Sequence, residues 1–550
     1  LQSKGKIAIL KMMVRKKTLI IVGLILLGIY FFAGINRFGA FDYDEAIYSS
    51  VAGEMIATNQ FLIPKYNGKN FLEKPPLFYW LIVLVQKIFR FSDIAISGRI
   101  VSILATIGTI FLIYHFSSRL FDATTGLFSA LVFTFCLGTI IISRTILLDA
   151  LLNFFLSLTL VTALASLTGR ARSIYLIYLA AGLATLTKGP IGILLPALVI
   201  IIFWIIYRKK FTLKTLKLPT GILLYLALTL PIFLLLNQAT AGHFWSEFFL
   251  TQNLARFSRH AFEGHSGPWF YYLLLIFFLL FPASAFLPAA FRHLGNKKSP
   301  ENTFFLVWFL TTLIIFSASR TKLPNYIIPA ITPLAIILGI YLKDLWLGNA
   351  PYWRRTSAVI YLITAIALIG VFLLLGPIAN IYRPQLQNRQ AFLLAGLNFG
   401  LAPLFIAIIF AGGLLLFLIL AAKKLFRQLF FTQILLMFLV DLTLINLFIP
   451  SLYRIFQADL RQIAEEIRQE SENEPVLAVG LGMNPSIVLY SKRKVFFVAE
   501  NEIPEIARRI KQNNSRLLVI APKNIATNLL ARNVRLLKNY GGYSLLLWSI

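Results

Sequence analysis

Apolar runs of about the length that crosses a bilayer recur along most of this 550-residue chain, and nothing else restricts its fold so tightly. Runs at 18–35, 96–116, 124–142, 147–168, 173–187, 190–207, 218–236, 269–290, 303–318, 325–342, 356–375, 394–420 and 430–448 predict about thirteen transmembrane helices. At 58% hydrophobic and 13% charged residues, the chain carries far more apolar surface than a soluble core of this size needs. The fold class expected is therefore a polytopic α-helical membrane protein.

The formal charge of +30 raises nucleic acid as a partner. A nucleic-acid binder gathers its lysines and arginines on one soluble face, whereas here they fall in short loops between apolar runs, so no nucleic acid is expected. The segment LFYWLIVLVQKIFRF (77–91), interrupted by Gln86 and Lys87, reads as an amphipathic helix lying in the interface. With that reading the loops GRAR (169–172), YRKKFTLKTLK (207–217), RHLGNKK (292–298), WRR (353–355) and KKLFR (423–427) share a side with the basic N-terminal stretch KGKIAILKMMVRKK. Positive-inside bias makes that side cytoplasmic. That stretch precedes an apolar run with no clear small-residue cleavage site, so it reads as the flank of a retained first helix. The only cysteine, Cys136, excludes an internal disulfide.

The other side receives the first loop (36–95), the loop 237–268 and everything after about 450. In that tail PVLAVGLGM, RKVFFVAE and SRLLVIAP read as short buried strands and IPEIARRIKQN as an amphipathic helix. The expected organisation is a transmembrane domain over 1–450 and an extracytoplasmic α/β domain over 451–550. Gly480 and Gly482 form a lone GxG after a strand, without the third glycine or the ribose-binding acid of a dinucleotide site, and read as a tight turn.

Ionisable residues then gather at the outer helix ends. They are Asp42, Asp44 and Glu45 in FDYDEAIY, Glu73 and Lys74 in FLEKPPLFYW, and Arg144 and Asp149 in SRTILLDALLNFF. Lys188 follows in LTKGPIG, then Arg256, Arg259, His260 and His265 in LARFSRHAFEGHSGPWFYY, and Arg320 and Lys322 in SASRTKLPNYIIP. Charges near membrane depth are costly and line cavities or pair with one another, so a shared site is expected. The plainer alternatives are interfacial anchoring for Arg259, His260 and Arg320, and a structural Arg144–Asp149 pair.

DYDEAIY, LEKPPLFYW, SRTILLD, LTKGPIG, RF followed by HSGPWFYY, and KLPNYIIPAITPLA occur in an order and spacing that resembles the bacterial aminoarabinose (4-amino-4-deoxy-L-arabinose) lipid A transferases over roughly residues 18–340. These sit within the polyprenyl-phosphate-sugar-dependent glycosyltransferases of GT-C type, alongside the protein O-mannosyltransferases. The resemblance implies an inverting glycosyltransferase of the bacterial inner membrane, working on the periplasmic side. Its expected partners are an undecaprenyl-phosphate-linked sugar donor, lipid A or another extracytoplasmic acceptor, and membrane lipids. It also implies roles. Asp44, Lys74 and Asp149 would be catalytic, with Asp44 the base and Lys74 meeting the donor phosphate. Glu45, Arg144, Lys188, Arg256, Lys322 and Tyr326 would bind substrate. Glu73 and His265, with His260 as the alternative ligand, would hold Zn²⁺ or another divalent metal.

The chemistry suits these residue types. A departing polyprenyl phosphate carries growing negative charge and needs little protonation, so fixed cations such as Lys74 and Lys188 are the useful catalysts. A hydroxyl acceptor needs a base, whereas a lipid A phosphate needs only positioning. The competing readings are a protein or envelope-glycan glycosyltransferase using a donor such as mannosyl polyprenyl phosphate, a structural membrane anchor presenting the C-terminal domain, which would not need Lys188 or Asp149 at helix ends, and a lipid transporter or flippase. The last calls for charges at the midplane and on both faces, whereas here they cluster outside.

Overall fold

The computed structural model of the protein describes residues 23, 25–170, 173–255, 266–351, 354–382, 399–470, 474–503, 505, 516–530 and 534–549. Among these are eight helices long and apolar enough to cross a membrane, from Ile94–Leu120 to Phe426–Phe456, or up to ten when two bent pairs are each taken as one span. Tyr175–Lys188 and Ile191–Tyr207 are shorter apolar helices that account for the runs 173–187 and 190–207. The first run is described only from residue 23 onward.

Two runs expected as straight spans are broken. Ala123–Thr134 and Leu137–Ser143 meet at 64°, and Tyr271–Leu279 and Ala283–Asn296 at 115°. Pro282 lies in the second break, where its missing N–H and its ring oppose continuation of the helix. Leu77–Phe89 is helical, as expected for the interfacial segment. It buries Phe78, Tyr79, Ile82, Val83 and Val85 and exposes Leu84, Ile88 and Phe89.

Burial divides the bundle. The spans Leu148–Leu167 and Pro324–Trp346 are 89% buried in their apolar windows and form its centre, whereas Leu213–Ala239 is 17% and Arg355–Ile378 22% buried. An apolar helix left uncovered by protein in this way is a lipid-facing helix.

The loops at the two ends of the bundle differ in charge. At one end Arg170 meets Glu301 (3.4 Å), the Tyr207 hydroxyl meets Thr303 (3.0 Å), Lys297 meets Asp344 (2.7 Å), and Arg427 lies over the Trp346 ring (5.1 Å). These contacts bring four of the five basic loops together. The other end carries the first long loop and the C-terminal domain.

That domain is built on a five-stranded sheet. Its strands are β3 (Val476–Val479), β4 (Val495–Val498), β5 (Arg516–Pro522), β6 (Val534–Tyr540) and β7 (Tyr543–Ser549), in the order β4-β3-β5-β7-β6. β1 (Lys65–Tyr66) and β2 (Lys69–Asn70) form a separate hairpin in the first loop. The β3–β4 and β3–β5 pairs are parallel, and β7 pairs antiparallel with both β5 and β6. The three strands read from sequence are the parallel ones, while the β6–β7 hairpin is not among them, β6 being mostly exposed and without a clean apolar–polar alternation. Most of the helix expected over 503–513 lies outside the described residues. Gly480 and Gly482 both take positive φ (68° and 66°), as the tight-turn reading requires.

The domain is tied to the first loop at several points. Asp42 accepts hydrogen bonds from the Ser486 backbone N–H (2.7 Å) and hydroxyl (2.8 Å), and the Tyr490 hydroxyl accepts from the Ala40 N–H (2.8 Å). Asn67 exchanges bonds with both backbone groups of Val495 (2.7 and 2.9 Å), and Arg461 pairs with Asp93 (3.0 Å).

Candidate active site

The first loop is shaped to present its charges. Asp44 and Glu45 open the Asp44–Thr58 helix, where the exposed backbone N–H groups favour negative charge. Beyond that helix, Asn67 and Gly68, both at positive φ, turn the β1–β2 hairpin, and Glu54 accepts both of their N–H groups (2.5 and 3.2 Å). The chain then reaches Glu73 and Lys74, and Pro75 and Pro76 restrict the backbone as it enters the 77–89 helix.

Three further helix ends complete the site. Asp149 lies in the first turn of Leu148–Leu167, and Lys188 in the last turn of Tyr175–Lys188, each where its sign suits the helix dipole. Gly189 caps the second helix at φ 83°, and its missing side chain leaves room for the Phe248 ring. Lys188 Nζ meets Asp149 Oδ1 at 2.5 Å, Asn325 Nδ2 donates to Asp149 Oδ2 at 2.6 Å, and the Tyr326 ring lies 4.7 Å from the Lys188 ammonium. Asp149 is 2% exposed, so its charge is answered within the protein.

Asp44 joins this group electrostatically. Its side chain opens toward solvent but is largely enclosed by protein, and desolvation lifts its carboxyl above the ordinary value. Lys74 and Lys188 act against that rise, while Asp149 and Glu73 add to it. Glu73, Lys74, Asp149 and Lys188, which come from separate parts of the chain, therefore all act on Asp44. A carboxylate raised toward neutrality is a better proton acceptor than an unperturbed one.

Two residues expected to bind substrate are placed elsewhere. Glu45 is buried, pairing with Arg99 (3.2 Å) and accepting the N–H groups of Ile146 (2.9 Å) and Phe41 (3.0 Å). Arg144 is 3% exposed and binds Asp441 (2.7 Å) and the Tyr30 carbonyl (2.9 Å). Both are buried in structural networks, and the Arg144–Asp149 pair is not formed. Lys322 is buried and donates to the Ser319 carbonyl (2.5 Å). Arg256, Arg259, His260 and His265 lie outside the described residues.

Sequence reasoning missed Arg99, Asn325 and Asp441. Arg99 donates to the carbonyls of Ile35 (3.0 Å), Phe38 (2.7 Å) and Gly39 (2.5 Å), pinning the stretch that leads into Asp44. Arg99 and Asp441 could have been found as charges inside apolar runs. Asn325 lay within a quoted motif, but nothing marked it as a partner for Asp149.

Among the described residues no three His, Cys, Asp or Glu side chains come together in a way that could hold a metal ion. Of the expected Glu73–His265 pair only Glu73 lies among the described residues, and no chemical step is assigned to a metal.

Comparison with known proteins agrees with this picture. A family profile described as dolichyl-phosphate-mannose-protein mannosyltransferase matches residues 73–234. An undecaprenyl phosphate-alpha-4-amino-4-deoxy-L-arabinose arabinosyl transferase of Pseudomonas aeruginosa is 32% identical over 336 residues, which cover 60% of each chain. One from Pseudomonas fluorescens is 30% identical over 328 residues, 58% of this chain and 55% of the relative. The matched region thus spans a little over half the length of these curated relatives. Among solved structures, ArnT from Cupriavidus metallidurans bound to undecaprenyl phosphate superposes with a TM-score of 0.76 at 20% identity, covering 96% of this chain and 98% of that one. The archaeal oligosaccharyltransferase AglB from Archaeoglobus fulgidus follows with a TM-score of 0.52 at 12% identity, covering 92% of this chain and 69% of that one. In motif order, in sequence over somewhat more than half its length and in fold, this multi-pass membrane chain is similar to the bacterial undecaprenyl phosphate-aminoarabinose arabinosyl transferases.

Proposed function

We propose that the protein is an inverting glycosyltransferase that moves 4-amino-4-deoxy-L-arabinose from undecaprenyl phosphate to a lipid A phosphate, on the periplasmic side of a bacterial inner membrane. The observation that carries this reading is the cluster of Lys188, Asp149, Asn325 and Asp44, reached also by the field of Lys74, at one end of a bundle with this fold.

An acceptor oxygen attacks the anomeric carbon, the bond from that carbon to the donor phosphate oxygen breaks, and undecaprenyl phosphate leaves with the electron pair. Lys74 and Lys188 face the phosphate and stabilise the charge it gains. Asp149 and Asn325 fix the Lys188 ammonium, so little reorganisation is needed as that charge develops. Asp44 takes the proton of a protonated acceptor, whereas an anionic acceptor needs no base. Residues 1–450 would then be the catalytic membrane domain and 451–550 the periplasmic one, with Lys322 and Tyr326 lining the donor phosphate site.

The profile match over 73–234 favours one second reading, transfer of a sugar such as mannose from a polyprenyl phosphate to protein. Purified protein supplied with undecaprenyl-phosphate aminoarabinose and lipid A decides between them by mass spectrometry. Lipid A should gain one aminoarabinose, and the Asp149→Asn variant should lose the product by about 10²-fold or more. Sugar appearing only on protein would favour the second reading, and no transfer from any polyprenyl-phosphate sugar would remove both.

A further inference from the structure

Two cavities outside the cluster lie side by side where the C-terminal domain meets the first loop and form the two halves of a cleft with a common wall. The first, about 520 Å³, lies between the 44–58 helix, the 86–94 segment and residues 461–494. The second, about 550 Å³, lies at the end of the first apolar helix and is lined by Phe32, Ile35, Phe38 and Ile96. They share Phe91, Ser92, Asp93 and Arg461 as walls. Neither contains Asp44, Lys74, Asp149, Lys188 or Tyr326.

Toward the bundle, the uncovered residues Ile25 and Ile29 continue at helical spacing into Phe32 and then Asn36, so a lipid-facing stripe leads to the mouth of the second cavity, whose wall mixes Phe32, Ile35, Phe38 and Ile96 with Asn36, Ser92, Asp93 and Arg461. Toward the C-terminal domain the wall carries Arg461, Arg468, Lys492, Arg493 and Lys494 against three carboxylates. Each carboxylate is already engaged: Asp93 and Glu465 with Arg461 (3.0 and 2.7 Å), and Glu54 with the N–H groups of the hairpin turn. Arg468 and Lys492 form no ion pair among the described residues, although they are close enough that Arg468 adds to the effect of partial burial in drawing the Lys492 ammonium below its usual value. Two like charges lining one cleft make the space between them favourable for an anion.

We propose that this cleft holds an anionic glycerophospholipid of the surrounding leaflet, with an acyl chain along Ile25, Ile29 and Phe32 and its headgroup phosphate between Arg468 and Lys492. The lipid binds outside the catalytic cluster and bridges the membrane to the C-terminal domain. The inference does not depend on which sugar or acceptor the enzyme uses.

Delipidated full-length protein, titrated with phosphatidylglycerol or phosphatidylcholine and read by native mass spectrometry, tests it. The parent should retain one phosphatidylglycerol with a preference over phosphatidylcholine of about tenfold or more, the scale expected for two basic side chains at a membrane surface. The double variant Arg468→Gln/Lys492→Gln should lose that preference, and both side chains are exposed, so folding is not at stake. Lys209→Gln/Lys210→Gln, on exposed residues of a basic loop, should keep it. Equal binding of the two lipids by the parent, or an undiminished preference in the Arg468/Lys492 variant, overturns the proposal. So does a variant whose only change is weaker binding of phosphorylated lipid A, which would make the cleft an acceptor subsite.

Discussion

Lys74 lies at the end of a restrained Pro-Pro corner, and its charge reaches Asp44 together with those of Glu73, Asp149 and Lys188. In the transition state proposed here it faces more negative charge than in the bound donor, so its loss should lower turnover as well as binding. Lys74→Met keeps most of the stem and should reduce sugar transfer by about 10²-fold or more while insertion stays normal. Lys87→Met is the control, because Lys87 is exposed and only lies over the Phe61 ring (4.5 Å). Equal turnover in the parent and the Lys74 variant, measured with a polyprenyl-phosphate donor, would remove the role given to this lysine. The charges themselves were legible in the sequence because an ionisable group in so apolar a chain must have a purpose. Their pairing was not. Arg144 finds Asp441 and Asp149 finds Lys188, partners 297 and 39 residues away, and charge spacing along one helix carries no information about either.

At the level of elements, helix positions were legible from apolar length, whereas the breaks near 135 and 281 were not, because an apolar run reads the same through a bend. Equally hidden was the way the C-terminal domain grips the first loop through Asp42, two residues before Asp44. Burial pushes the Asp42 carboxyl up to about 6, even though the Ser486 N–H and hydroxyl favour its charged form. An unfolded aspartate titrates near 4, so the folded protein binds this proton more tightly than the unfolded chain does. The contribution to stability is fully present below about pH 4 and is lost as pH rises through 6. Relative to Asp42→Asn, which cannot titrate, the parent should lose at most about 3 kcal/mol of stability between pH 4 and 7. Thermal unfolding of both proteins across that range in one detergent checks the sign. Parallel curves would show that the Asp42–Ser486 contact carries no proton linkage.

For the whole molecule, the orientation proposed in the membrane rests on where the basic loops meet. Contacts among residues 170, 207, 297–303, 344–346 and 427 place those loops at one end of the bundle, and the cluster around Asp149 and the C-terminal sheet belong to the other. Short loops rich in lysine and arginine stay on the cytoplasmic side, and the bias is strongest within about 15–20 residues of a span. The exposed pair Lys423 and Lys424 directly follows the Ala402–Ala422 span, and residue 474, at the start of the sheet domain, lies one span further on, beyond Phe426–Phe456. Reporter fusions after Ala422 and after Glu474 should therefore report opposite compartments, cytoplasmic and periplasmic respectively. With that proposed orientation, the same parity would put Asp44, Lys74, Asp149 and Lys188 on the periplasmic face, where the donor and acceptor of the proposed reaction would both be reachable. Two fusions reporting one compartment would mean that the 426–456 helix does not cross the membrane. A reversed pair would put the cluster on the cytoplasmic face, away from any periplasmic acceptor, and the proposed reaction would fall with it.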